Sequence, residues 1–165
     1  IKNISNNINL LAINRINSVY QMSRMLRRGE ISDLFAKVGQ INQGDPEQIY
    51  LKDAQDIIIK RLEIENNNLD NLYALALVQV LQKKAEAASK TFENISAIDK
   101  ENQYAFIAKS IVDIYRFKPK LAQYSLYKAA RVNNNIKSDN IYQTIEIASN
   151  LLQFNIIKAF NLSQE

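Results

Sequence analysis

The chain has 165 residues, of which 47% are apolar and 23% charged, with a net charge of +4. That suffices for one domain with a real core and excludes a disordered chain. Three Gly and two Pro are too few for an all-β chain of tight turns, and the lack of Cys and His removes disulfides, thiol chemistry, the imidazole base and the triads built on it.

The chain begins with Ile1 and is read as a trimmed or mature fragment, upstream of which a signal peptide, a membrane anchor or a further domain could have stood. A cytoplasmic setting is the expectation. No apolar run approaches the about 18–20 residues that a membrane span needs. Ile8, Leu11, Ala12, Ile16, Val19, Tyr20 and Leu26 fall on one helical face. They predict a helix over 6–26, with Ser5 as its N-cap and Gly29 just past a basic last turn, Arg27 and Arg28. A short helix over 32–41 follows. In GDPEQ, Gly44 closes that helix, Asp45 caps the next, Pro46 takes its first position and Gln48 completes a capping box. The helix so opened reaches Ile64, with Ile49, Tyr50, Ala54, Ile57, Ile58, Arg61 and Leu62 on one side, and the run Asn66, Asn67, Asn68 breaks it.

From Leu69 onward the helices shorten and pair. They are expected over 69–82, 85–98, 103–116, 119–132, 138–152 and 155–162. Pro119 sits where a first turn tolerates it, and Ser138 or Asp139 caps the last pair. The β-branched residues fall at helical spacing, so no strand is expected.

A shift of 34 residues superposes two of these pairs. Leu72 falls on Phe106, Ala76 on Ser110, Ala88 on Ala122, Phe92 on Leu126 and Ile95 on Ala129. Small residues recur where the two helices of a hairpin touch, and bulky ones where the next layer packs. The pattern resembles the tetratricopeptide repeat family, whose helix–turn–helix unit places small and aromatic residues in this order. In 69–102, Ala76, Ala88 and Phe92 match, and Ile95 replaces the last small residue. In 103–136, Ser110, Ala122 and Ala129 all match. The family's Trp, Gly and terminal Pro are missing, and Lys100 and Asn134 stand where the Pro belongs. A third unit, 137–165, has Thr144 at the small position and Ile156 where Ala is expected. Upstream, Ala54 and Ile58 fit a second helix, but Pro46 denies a standard unit there. The fold class that follows is all-α, an α–α superhelix of antiparallel hairpins with roughly nine helices. A divergent helical region, 1–68, and the hairpins of 69–165 pack as one continuous domain. The rival architecture is a closed helical bundle with accidental periodicity.

The resemblance implies a concave groove lined by first helices. Tyr73, Leu77, Val80 and Leu81 line it in the first unit. Ile107, Ile111, Ile114 and Tyr115 do so in the second, and Ile141 and Ile145 in the third. The Lys and Asn clamp with which some members hold acidic chain ends is absent. An apolar groove suits the hydrophobic face of an amphipathic helix, and a strip of this size calls for a cover. The candidates are the helix over 6–26, a protein or peptide partner, or a second copy in a homodimer. Alternatively, these residues are core and the groove closes on itself. The expected function is therefore a non-enzymatic interaction module or assembly scaffold.

Other sites are weaker. Glu63 with Glu65, Asp53 with Asp56 and Glu86 with Glu93 are ordinary helix-surface pairs. A zinc site would need an unusual all-carboxylate shell, and there is no Gly-rich phosphate loop, so neither metal nor cofactor is expected. The densest basic cluster is Arg24, Arg27 and Arg28, short of the stripe that a nucleic-acid binder shows. The alternative function, a nucleic-acid-associated repeat protein, would use the basic helix over 119–132. In the unit 103–136, which contains that helix, Tyr104, Tyr115, Tyr124 and Tyr127 lie among Arg116, Lys118, Lys120, Lys128 and Arg131.

Overall fold

The structure, a computed structural model, describes residues 2–42 and 49–164. Among them are eight α-helices, one 3-10 turn and no strand. α1 (Lys2–Arg28), α2 (Ile31–Asn42) and α3 (Ile49–Ile64) precede two hairpins, α4 (Leu69–Leu81) with α5 (Ala85–Ile98), and α6 (Gln103–Tyr115) with α7 (Pro119–Val132). A 3-10 turn (Asn134–Ser138) then leads into α8 (Asn140–Gln164). Each helix from α3 onward packs on the next one in the chain. This sequential packing makes an all-α helical superhelix.

The second hairpin repeats the first 34 residues on: 69 to 103, 81 to 115, 85 to 119 and 98 to 132. Local chemistry sets these bounds. The side-chain oxygens of Asn68 and Asn102 accept from the amides of Asn71 and Tyr104, each at 3.0 Å, and cap α4 and α6. Both first helices end in the same turn. The Lys83 and Lys84 amides donate to Val80 and Gln79 at 2.9 Å, and those of Phe117 and Lys118 donate to Ile114 and Asp113 at 3.0 and 2.9 Å. The residues that turn the chain, Lys83 and Phe117, have φ of 61° and 57°, where a side chain costs about 1 kcal/mol. Between the helices Ala76, Ala88, Ser110 and Ala122 are all fully buried. The Ser110 hydroxyl donates to the Ala122 carbonyl, so the two backbones meet at the small residues.

α1 starts at Lys2, so Ser5 lies inside the helix and does not cap it; nothing from Lys2 to Ser5 is a helix breaker. Its end is as expected. The Gly29 and Glu30 amides donate to Leu26 and Met25 at 3.0 Å. Gly29 has φ +82°, and a Cβ there would collide with the Tyr104 ring, so conformation and space both favour glycine. The cap built from Gly44, Asp45, Pro46 and Gln48 lies outside the described residues. The helices expected over 138–152 and 155–162 are one continuous helix, α8. Leu151 stands 34 residues after Phe117 yet stays helical. The stretch Asn150 to Asn155 holds no Gly or Pro to break it.

The core falls into two clusters. Ile16, Val19, Met22 and Leu26 of α1 meet α2, α3, α4, α5 and α6 in the first, with Tyr73 and Phe92 among the most buried. The second joins Ile107 of α6 to Leu126 and Ala129 of α7, Ile136 of the 3-10 turn, and Tyr142 and Ile145 of α8. Half-buried Tyr104, Ile111 and Ile141 pack against both. The first cluster draws on both 1–68 and 69–165.

Candidate functional site

The face of α4 and α6 that the sequence marks as a groove carries α1, which packs on both helices. α1 sits there because Ile16, Val19, Met22 and Leu26, at helical spacing, are each no more than 6% exposed. Burying each is worth about 1.5–3 kcal/mol. Met22 was not in the apolar stripe read from the sequence, yet it is at the centre of the contact.

Polar contacts fasten the margins of this seat. The Tyr20 hydroxyl donates to Asn71 of α4 and accepts from Arg61 of α3 at 2.9 Å; the Arg61 guanidinium lies 5.3 Å from the Tyr20 ring centre. Arg27, in the last turn of α1, pairs with Asp70 in the first turn of α4. The helix dipoles favour both charges where they stand. The same guanidinium lies 5.2 Å from the Tyr73 ring centre. Asn102, which caps α6, also donates to the Arg27 carbonyl at 3.3 Å.

The sequence-derived groove residues divide into two groups. Tyr73 and Leu77 are buried in the first cluster with α1, and Val80 is half-buried beside them. Ile107 and Ile145 are buried in the second cluster, with Ile114 half-buried against it. Ile111 and Ile141 touch both clusters. Tyr115 departs from the row: it is 74% exposed. Leu81, the further residue of the first unit, is fully buried. The Tyr73 hydroxyl donates to Asp99 Oδ2 at 2.9 Å. Burial first, then this bond and the Asp99 charge, push the Tyr73 phenol well above its ordinary range, with Arg27 opposing.

Beyond the end of α1 the face stays open as a cleft of about 60 Å³ lined by Leu26, Leu34, Phe35, Val80, Ile111 and Val112, among others. Small-molecule sites are several-fold larger, at about 300–1,000 Å³. This one is the size of an apolar side chain.

A buried charge was not legible in the sequence. Asp113 of α6 is fully buried. Its Oδ1 accepts from the Ser89 hydroxyl of α5 and from Arg116, both at 2.8 Å, and its Oδ2 pairs with Lys109 at 2.7 Å. The i,i+3 and i,i+4 spacings around Asp113 were visible. Ser89 is brought in by the packing of α5 on α6. The group ties one hairpin to the next.

The remaining sequence candidates lie on the surface. Asp53, Asp56, Glu63, Glu65, Glu86 and Glu93 are all exposed. Among the described residues no cluster of three or more acidic side chains is placed to hold a metal. In the basic cluster at the end of α1, Arg27 pairs with Asp70 and Arg28 with Glu30, which neutralises two of its three charges. Tyr104 is half-buried against Gly29, whereas Tyr124 and Tyr127 are exposed, like Tyr115. No described helix is long and apolar enough to cross a membrane. No protein-family model, curated protein or solved structure matches the chain.

Proposed function

We propose that the chain is a non-enzymatic protein-interaction module of the tetratricopeptide-like kind, whose groove along α4 and α6 takes an amphipathic helix. α1 is its intramolecular occupant. The observation that carries this reading is the way α1 is held. An apolar strip, Ile16, Val19, Met22 and Leu26, is bounded by polar clasps at Tyr20 and Arg27. An apolar centre within a polar rim is the anatomy of a protein interface. A partner helix with the same spacing of apolar residues would compete for the seat, and the side-chain-sized cleft beyond Leu26 would give it one further anchor.

The test is Val19→Asp with Met22→Asp in the full chain. The two losses, about 1.5–3 kcal/mol each before charge burial is counted, should free α1. Residues 6–26 are then expected to become protease-sensitive while most helicity remains by circular dichroism. A labelled peptide of residues 6–28 should bind this variant, and not the unaltered chain, in fluorescence anisotropy. Loss of helicity throughout, with no recovery on adding the peptide, would make α1 a plain core helix and end this reading.

A further inference from the structure

Between Asp113 and Asp139 the sequence has no acidic residue and six basic ones: Arg116, Lys118, Lys120, Lys128, Arg131 and Lys137. Arg116 is held by Asp113. Among the described residues the other five have no acidic partner. Lys120, Tyr124, Tyr127, Lys128 and Arg131 follow one another along the outward face of α7. Tyr124 and Tyr127 are 59% and 58% exposed, and the Lys128 ammonium lies 4.3 Å from the Tyr124 ring centre. At the turn that opens α7, Phe117 is 71% and Leu121 44% exposed, beside Tyr115.

The fold does not require this composition. At the same places α5 has Glu86, Ala87, Lys90, Glu93, Asn94 and Ala97, a face with no aromatic residue and no excess of positive charge. At the same left-handed turn position the first hairpin has Lys83 where the second has Phe117. An exposed Phe there adds nothing to the packing.

We propose that the outer face of α7 and the turn before it dock on an anionic lipid bilayer. Phe117 and Leu121 enter the boundary between headgroups and acyl chains. Tyr115, Tyr124 and Tyr127 lie at headgroup level, and Lys118, Lys120, Lys128 and Arg131 meet the lipid phosphates and carboxylates. A nucleic acid has the same charge, so the cations alone do not choose between the two, and the exposed carbon beside them decides. Phe117 could stack on a base, but the aliphatic Leu121 beside it offers only carbon with no π-face, which a bilayer boundary accepts and neither a base nor a phosphate rewards. This docking is independent of the seat of α1.

The experiment is co-sedimentation of the full chain with phosphatidylcholine vesicles, with and without phosphatidylserine. Binding is expected only with phosphatidylserine and should weaken as salt rises. Lys118→Glu with Lys120→Glu, and separately Phe117→Asn with Leu121→Ser, should each lower it about tenfold at unchanged helicity. No vesicle binding overturns the proposal. So does binding that survives Phe117→Asn with Leu121→Ser, or tighter binding to single-stranded RNA than to vesicles.

Discussion

At one point in the first hairpin Gln79 accepts a hydrogen bond from Thr91 of its own second helix at 2.7 Å. At the same point in the second hairpin stands Asp113, which instead reaches back to Ser89 of the preceding hairpin and gathers Lys109 and Arg116. The backbones are alike: same lengths, same Asn caps, same left-handed turn, and small residues at each crossing. The frame of a repeat is therefore set by a few local positions. What each copy does with its remaining side chains depends on its neighbours. The first hairpin packs against α1 and α3, the second against α8 and, through α6, the end of the same α1. Its buried polar position closes the hairpin on itself in one case and locks two hairpins together in the other.

Asp113→Ala should break this comparison most sharply. It leaves two cations, only 13% and 21% exposed, without their carboxylate, and should cost about 3 kcal/mol. Gln79→Ala removes a neutral bond and should cost about 1 kcal/mol. Urea midpoints measure both, and equal losses would mean that Asp113 does no more than Gln79. Ala88→Leu and Ala122→Leu test the shared frame. Each wedges its hairpin open at a crossing with no spare room and should cost about 1–3 kcal/mol. A large effect at one and none at the other would show that the two crossings are not equivalent.

Tyr73 is the smallest of these tests and the most specific to the first hairpin, because its counterpart Ile107 has no hydroxyl. Tyr73→Phe should lose about 1 kcal/mol with the bond to Asp99. The phenol is raised in the folded chain from its ordinary 10.0. Above pH 10 the unfolded chain therefore gives up a proton that the folded chain keeps. Stability from this group is full below pH 10 and is lost as pH rises, by about 1.4 kcal/mol per pH unit. Denaturant titrations between pH 9 and 11 should show a shallower decline in Tyr73→Phe. An unchanged decline would mean that Tyr73 ionises in the folded state as freely as in the unfolded one.

Sequence alone determined the all-helical class, the 34-residue frame and nearly every helix bound from Leu69 to Val132. Asn68, Asn102 and Pro119 act on backbone groups within a turn of themselves, and apolar spacing marks the buried side of each helix. Tyr73, Leu77, Ile107 and Ile145 were legible as an apolar row for the same reason. The tertiary structure decided what covers that row. The bonds of the Arg61–Tyr20–Asn71 clasp and the Ser89–Asp113 bond span 24 to 51 positions and join separate helices. No local spacing encodes such pairs. They form only once apolar burial has brought α1 onto α4 and α5 against α6, where a desolvated polar group must find a partner or leave the core.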